Sequence, residues 1–324
     1  MRISTLGFAA ALLTGLVNVA SASAQTFTDP GSYNNFIVAE QRTMLKKNLR
    51  YISKSAHSDN EKKIDARRVE LVKQTELSLN KLAKMPAFKD DKGFKEQTTE
   101  AFYQLLKVYS EDYKAVDMLA ATRTATAENM EQYFKLQEVA ERKLQAINDS
   151  VDAAQQRFAK RHGMSISADP EGERLAKFMA QVSEVNAYQH KVVLAQFRIE
   201  KSSAKLSDAI SAQDAVSFEA ARVKLLEDTK VALTELATIP AFRNKDTQYR
   251  DAAKSLVNFY AGMCQNQFPK FHELMLRKDQ LTKADVTAIN GYINQLNTGS
   301  QKFTQAYNQA GSNFMAAYIP VMND

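Results

Sequence analysis

Histidine and carboxylate side chains are the first place to look for metal-binding or acid-base chemistry in this chain. The four histidines are His57, His162, His190 and His272. None of them lies at metal-ligand spacing from a second histidine or from a carboxylate in a pattern that both halves of the sequence share. His272-Glu273 lacks the second histidine that zinc proteases place four residues after the first. We therefore interpret the histidines as surface or helix-end residues, and we predict no metal-binding residue.

Nucleophilic and cofactor chemistry also lack their usual residue patterns. Cys264 is the only cysteine, and it lies in a helical stretch where buried packing is its expected role. No Cys-x-x-Cys-His haem attachment, Glu-x-x-His di-iron pair, phosphate loop or dinucleotide fingerprint is present. We predict no catalytic residue, no cofactor and no enzymatic activity. A cluster of carboxylates or histidines assembled across helices would be the exception.

Tyrosines are the remaining candidates for a binding role. Those in two aromatic-rich helical stretches have the spacing of core residues, which is the simplest interpretation. A buried tyrosine hydroxyl needs a hydrogen-bond partner, so a tyrosine cluster at the end of a bundle could bind a ligand or a protein. The possible binding surface consists of Tyr103, Tyr109, Tyr113, Tyr249 and Tyr260.

The elements that would position these residues occur twice in the sequence. Residues 66–88 and 220–242 align without a gap, with 11 identities in 23 positions that include Pro86-Ala87-Phe88 and Pro240-Ala241-Phe242. Most shared apolar positions fall three or four residues apart, as on one face of a helix, whereas the charged positions differ. The pattern predicts an internal duplication that kept its core and changed its surface.

Helix-forming residues fill the sequence between a few turn-rich segments, and no stretch alternates like a half-buried strand. Pro86 and Pro240 are expected to end the second helix of each unit, and Asp91 and Asp246 to cap the third. The predicted helices of the first unit cover 33–55, 59–84, 91–120 and 125–161. Those of the second unit cover 173–210, 212–238, 246–277 and 283–318.

The predicted fold class is all-α, with two tandem four-helix up-and-down bundles that arose by internal duplication. The first bundle covers residues 25–163 and the second residues 173–324, with residues 164–172 as the linker. Residues 1–24 have the three parts of a cleavable signal peptide: Arg2, an apolar run from Leu6 to Val19, and Ala22-Ser23-Ala24 before Gln25. We expect an exported protein without a membrane-spanning segment after cleavage.

The composition supports a packed protein without disulfide bonds. The chain is 44% hydrophobic and contains 10 glycines and 6 prolines, so it can bury a large core. Its formal charge of +6 comes from 43 basic and 37 acidic residues, which are dispersed along the chain. Solvated helix faces account for this balance, and an anionic surface or polymer as partner is the alternative. Nucleic acid is not expected, because no motif for it is present.

Several segments resemble one family of exported bacterial proteins. They are Tyr33-Asn-Asn-Phe-Ile37, Leu79-x-x-Leu82 followed by Met85-Pro-Ala-Phe88, the aromatic helix from Phe94 to Tyr113, and Phe158-Ala-Lys-Arg-His162. They are similar to a family of helical surface proteins of unknown function, over about residues 33–166, and the second unit resembles a more diverged copy. The resemblance implies an exported or outer-surface location and supplies no catalytic residue.

These observations predict an exported, non-enzymatic helical protein of the bacterial cell envelope, periplasmic or on the cell surface. Its expected partner is another envelope protein or a surface polymer. The alternative is a periplasmic small-molecule-binding or sensor-like bundle, which would need an enclosed polar pocket at equivalent places in both units. The sequence names neither the ligand nor the oligomeric state.

Overall fold

The computed structural model describes residues 27–58, 60–167 and 169–322, and this part of the chain is all-α. The predicted signal peptide, residues 1–24, lies outside the described residues. Within them the only β-type pairings are two isolated bridges, Phe88 with Asp91 and Phe242 with Asp246. No helix of the described part combines the length and the apolar character needed to cross a membrane.

The first half of the structure contains five α-helices. Their bounds are α1 Pro30–His57, α2 Glu61–Lys84, α3 Gly93–Lys107, α4 Tyr113–Ala120 and α5 Ala127–Arg161. A π-helical turn, π1, covers Val108–Asp112 and joins α3 to α4 in one continuous rod. The predicted third helix is therefore present, and it contains a wider turn that was not predicted from the sequence.

The second half contains the other five α-helices. Their bounds are α6 Pro170–Ser211, α7 Ala215–Thr238, α8 Gln248–Gly262, α9 Phe268–Leu276 and α10 Lys283–Tyr318. A second π-helical turn, π2, covers Met263–Gln267 between α8 and α9, and a short 3₁₀ turn covers Lys278–Gln280. The π turns therefore occur in corresponding rods of the two halves.

Local signals explain most helix ends. The side chain of Asp29 accepts a hydrogen bond from the Ser32 amide, while Pro30 begins α1. Met85 and Ile239, each followed by proline, leave the helical region and end α2 and α7. Asp91 was predicted to cap the third helix, but Lys92 is the N-cap residue of α3; Asp91 lies one residue earlier and accepts a hydrogen bond from the amide of Gly93 at 2.9 Å.

The start of α6 differs from the prediction. The helix begins at Pro170, inside the predicted linker, because proline suits the first helical position and leaves no lost hydrogen bond there. Its first turns lie against α1: Asp169 pairs with Arg42 at 2.6 Å, and Glu171 pairs with Lys46 at 2.6 Å. The 42-residue α6 thereby contacts both halves of the molecule.

Two large hydrophobic clusters and one small one make up the described core. The first large cluster is formed by α6–α10 with help from Ile52 and Ala56 of α1, and the second by α1–α5. The small cluster contains Met130 and Phe134 of α5 with Phe197 of α6. The α5–α6 seam is thus a packed contact between the two halves.

Candidate functional site

The histidines lie apart from one another and make different local contacts. His57 Nε2 lies 3.2 Å from the Ile319 carbonyl oxygen, and His162 Nε2 lies 3.0 Å from Asp91 Oδ2. His190 Nε2 lies 3.1 Å from Gln137 Oε1, and His272 Nδ1 lies 3.6 Å from Glu219 Oε2. Within the described residues, no three His, Cys, Asp or Glu side chains are placed to hold a metal ion.

Cys264 is a core residue of the π2 turn. Its side chain is fully buried, and burial raises the pKa of its thiol to about 12. The carbonyl oxygen of Cys264 accepts a hydrogen bond from Arg222 Nη1 at 2.9 Å. The thiol therefore stays protonated and shielded from solvent at neutral pH.

The five tyrosines of the predicted binding surface do not come together on one surface. Tyr109 and Tyr113 are buried in the first half, with ring centroids 5.5 Å apart, and Tyr249 and Tyr260 are buried in the second. Tyr103 is 45% exposed, with the Lys107 ammonium over its ring. Their role in binding stays a prediction, and four of them contribute to packing.

Two aromatic clusters with matching contacts set the register between the halves. Phe158 of α5 lies 5.3 Å from Tyr33 and 5.0 Å from Phe94, measured between ring centroids. Phe314 of α10 lies 5.1 Å from Tyr188 and 5.7 Å from Tyr249 in the same way. Counting from these rings, positions of α3 correspond to positions of α8, and positions of α5 to positions of α10.

An extended concave surface lies between α3 with π1 and α5. It is open to solvent and has a volume of about 940 Å³. We call it the α3–α5 groove. Its lining consists of Glu96, Gln97, Glu100, Ala101, Gln104, Lys107, Val108, Glu111, Asp112, Lys143, Ala146, Ile147, Ser150, Ala153 and Arg157.

The groove extends toward the aromatic cluster of the first half. A second depression of about 260 Å³ shares Gln97 and Arg157 with it and reaches Phe94 and Phe158. Together the two depressions follow most of the length of α3. A lining of this extent suits an elongated ligand better than a compact one.

Several positions at the base of the groove carry smaller side chains than the corresponding positions of the second half. The register pairs Ala101 with Leu256 and Val108 with Met263 along the rods, and all four residues are almost fully buried. On the facing walls, Ile147 corresponds to Phe303. The first half therefore has less side-chain volume at these positions than the second half.

A single aromatic side chain closes the corresponding seam of the second half, which we call the α8–α10 seam. Gln104 of α3 corresponds to Phe259 of α8, whose ring stacks on Phe303 of α10 at a centroid distance of 5.3 Å. Gly299 makes room for this ring, because a Cβ at that position would lie 2.2 Å from Phe259 Cε2. The residue corresponding to Gly299 in the first half is Lys143.

The charges around the groove are of both signs and are unevenly distributed. The α3 and π1 wall carries four acidic residues against a single basic one, Lys107; they are Glu96, Glu100, Glu111 and Asp112. The α5 wall carries two basic residues, Arg157 and Lys143, and the Lys143 ammonium lies 2.8 Å from Asp112 Oδ2 across the groove. Because the lining is close to neutral overall but polarised from wall to wall, it can orient a ligand without attracting a polyanion.

The π1 turn forms one end of the α3 wall. Val108, Glu111 and Asp112 belong to it and all line the groove. Single π-helical turns inside α-helices often occur at functional sites, because the wider turn re-aims side chains. Here the turn directs Asp112 toward Lys143 while Val108 stays in the core.

Sequence reasoning missed this groove, although its signal was present in the repeat. The pairs Val108 with Met263 and Ile147 with Phe303 align as apolar positions, and apolar character alone hides the change in size. A comparison of residue volumes across the two units, rather than of residue class, would have located the deficit.

Comparison of the chain with family models, with curated proteins and with solved structures gave no match.

Proposed function

We propose that this protein is an exported, non-enzymatic component of the bacterial cell envelope that binds a protein partner in the α3–α5 groove. The observation that carries the proposal is the groove itself, about 940 Å³ in volume and open to solvent between its two walls. Ala101, Val108 and Ile147 at its base are already buried in the core, so a partner would contact mainly the side chains of the walls.

The charge pattern favours a protein segment over an anionic surface polymer. With Lys143 paired to Asp112, the lining carries three further acidic residues against two basic ones, Lys107 and Arg157. It therefore offers a polyanion no net attraction. A protein segment can match the acidic and basic walls with its own charges. A surface polymer therefore becomes an outcome that the test has to distinguish.

A small-molecule-binding role has weaker support. It would need an enclosed polar pocket at equivalent places in both halves, but the groove is open to solvent and Phe259 fills the corresponding α8–α10 seam. A groove that is open in one half and filled in the other supports a single binding site on the molecule.

The proposal includes the evolutionary origin and location of the chain. Two four-helix bundles produced by duplication would explain the matching aromatic clusters, the two π turns and the matching bridges at Phe88 and Phe242. On this view one copy kept an open seam for binding while the other filled it for stability. Removal of residues 1–24 as a signal peptide, and kinship with the exported surface-protein family, belong to the same proposal.

The test uses a variant that fills the groove as the α8–α10 seam is filled. The triple substitution Gln104→Phe, Lys143→Gly and Ile147→Phe introduces the residue types found at Phe259, Gly299 and Phe303. Lys143→Gly alone is the matched control, because it shares the glycine and the lost ion pair but leaves the groove open. Both variants should retain the circular dichroism spectrum of the original chain.

The mature chain, residues 25–324, and the two variants are used to capture proteins from an envelope extract, and the bound material is quantified by mass spectrometry. We expect one protein to be retained by the original chain and the control. The filled variant should retain it at least about tenfold less well, which corresponds to about 1.4 kcal/mol. Equal retention by all three, or retention of a polysaccharide alone, would contradict binding of a protein in the groove.

A further inference from the structure

Corresponding surfaces of α2 and α7 face solvent in the two halves. We call them the α2 face, with Val69, Lys73, Glu76 and Leu77, and the α7 face, with Val223, Glu227, Lys230 and Val231. Each set recurs at three- and four-residue spacing, so it occupies one side of its helix. Neither face includes a residue that lines the α3–α5 groove.

Both faces carry exposed apolar residues at matching positions. In the ungapped alignment of residues 66–88 with 220–242, Val69 corresponds to Val223 and Leu77 to Val231. These four residues are between 36% and 57% exposed. The other sides of the helices are packed, α2 against α1 and α3, and α7 against α6 and α8. Covering the exposed apolar side chains with another molecule would be favourable.

The charges between these apolar residues have opposite signs on the two faces. Lys73 and Glu76 of the α2 face correspond to Glu227 and Lys230 of the α7 face. Within the described residues, none of these four charged groups has an ion-pair partner. Each face therefore presents the counter-charges of the other, in the same order along the helix.

Charged residues beside the two faces are used within the chain. Glu70 Oε2, next to the α2 face, lies 3.3 Å from Lys47 Nζ of α1. Lys224, which corresponds to Glu70, pairs with Asp228 on its own helix. These charges have intramolecular roles, whereas the described structure gives the four charges of the two faces no such role.

We infer that the α2 face of one copy of the chain binds the α7 face of a second copy, with the two helices parallel and in register. Each valine or leucine of one face would then lie on its apolar counterpart, Lys73 would meet Glu227 and Glu76 would meet Lys230. In an antiparallel pair the order of the charges is reversed, so at most one of these two ion pairs could form. The inference does not depend on the proposed function of the groove.

This contact joins different surfaces of identical molecules. A copy that uses its α2 face still has a free α7 face, so the contact can repeat and produce an open chain of copies or a closed ring. Both helices have 24 residues, about 36 Å at about 1.5 Å per residue. A single pair of helices of this length makes a small interface, so we expect assembly to depend on protein concentration.

Charge exchange tests the inference without altering the core. The α2-exchanged variant is Lys73→Glu with Glu76→Lys, and the α7-exchanged variant is Glu227→Lys with Lys230→Glu. Each variant keeps the net charge of the chain and changes only exposed residues, so both should keep its circular dichroism spectrum. The two exchanged faces are again complementary to each other.

A matched control exchanges two charges elsewhere. Glu131→Lys with Lys135→Glu reverses two exposed residues of α5 and also keeps the net charge. The mature chain, the control and the two variants are compared by sedimentation velocity at low salt, from about 5 µM to about 500 µM, a range that covers weak association.

We expect the original chain and the control to associate as their concentration rises. Each exchanged variant alone should associate at least about tenfold more weakly, because two attractive charge pairs become repulsive. A mixture of the two exchanged variants should associate again, since both kinds of contact in it are complementary. Absence of association of the original chain up to about 500 µM, or equal association of all four proteins, would overturn the inference.

Disulfide formation between copies tests the register. A mixture of the Val69→Cys chain and the Val223→Cys chain should form a cross-linked dimer under mild oxidation, whereas neither chain alone should, because the α carbons must come within about 7 Å. Cys264 is buried and stays out of the reaction. Preferred cross-linking of Val69→Cys with Val231→Cys would show an antiparallel pair and overturn the proposed register.

Discussion

Acidification is expected to destabilise the fold through His190, in the seam between α5 and α6. The side chain of His190 is 5% exposed, and its ring stacks on Phe134 with a centroid distance of 3.9 Å. Burial lowers the pKa of His190 from 6.5 to about 4, because the imidazolium would lose its hydration. The Glu138 carboxylate lies 3.6 Å from Nδ1 and acts in the opposite direction, but it is largely exposed to solvent and has the smaller effect.

The size and sign of the effect follow from the two pKa values. Between pH 6.5 and about 4 the unfolded chain binds a proton at this site that the folded protein does not, so the free energy of unfolding falls as the pH falls. At about 1.4 kcal/mol for each pKa unit, the full loss is about 3 kcal/mol and is complete below about pH 4. About 2 kcal/mol of it should be lost by about pH 5.

Other groups in the seam also titrate, so the contribution of His190 has to be isolated. Burial raises the pKa of Glu141, which accepts hydrogen bonds from Asn186 at 2.6 Å and Ser183 at 3.0 Å. A carboxyl with a raised pKa favours folding as the pH falls, the opposite of the histidine. The substitution His190→Gln removes the titrating ring and leaves the carboxyl in place.

Urea unfolding of the original chain and of His190→Gln, at about pH 7 and about pH 5, measures the difference. The stability advantage of the original chain over the variant should shrink by about 2 kcal/mol on acidification. Parallel pH dependence of the two proteins would refute the reasoning and show that His190 accepts a proton in the folded state. An imidazole resonance of His190 that titrates near pH 6.5 in the folded protein would lead to the same conclusion.

Three further predictions concern packing in the core and the α8–α10 seam. Gly291→Ala should raise the free energy of unfolding by about 0.5–1 kcal/mol, because the added Cβ would lie in open space. Gly299→Ala should lower the free energy of unfolding, because its Cβ would displace the Phe259 ring. Urea unfolding that shows a change of the same sign for both variants would contradict this. Cys264 should not react with a thiol reagent in the folded protein and should react fully in denaturant, and rapid labelling of the native chain would show that π2 opens. Phe158→Ala should cost about 3–5 kcal/mol in urea unfolding, and a loss below about 1 kcal/mol would mean that its aromatic cluster does not stabilise the first half.

The helices were largely predictable from the sequence. The ends of α2 at Lys84, of α5 at Arg161 and of α10 at Tyr318 lie where the turn signals place them. Proline, capping side chains and apolar periodicity act over a few residues, so their effect is written locally in the chain. The all-α fold class is confirmed, and the duplication into two bundles remains a proposal.

The candidate site could not be predicted in the same way. The five tyrosines chosen from their spacing are mostly buried and are divided between the halves, because a helical stripe of aromatic residues serves the core before it serves a surface. The residues that form the groove, such as Ala101 and Ala146, have no chemical signature of their own. They line a groove only because of the side chains that the fold places opposite them.

The sequence by itself therefore determined the elements of this protein: where most of the helices end, which face is apolar, and which metal, nucleotide and nucleophile motifs are missing. Only the tertiary structure decided that Phe259 reaches Phe303 over Gly299, that His190 is buried against Phe134, and that the α3–α5 groove stays open. The physical reason is the distance along the chain over which the interacting residues are spread. Helix formation depends on neighbours within a few residues, whereas a groove depends on the summed volumes of side chains that the fold brings together from distant parts of the chain.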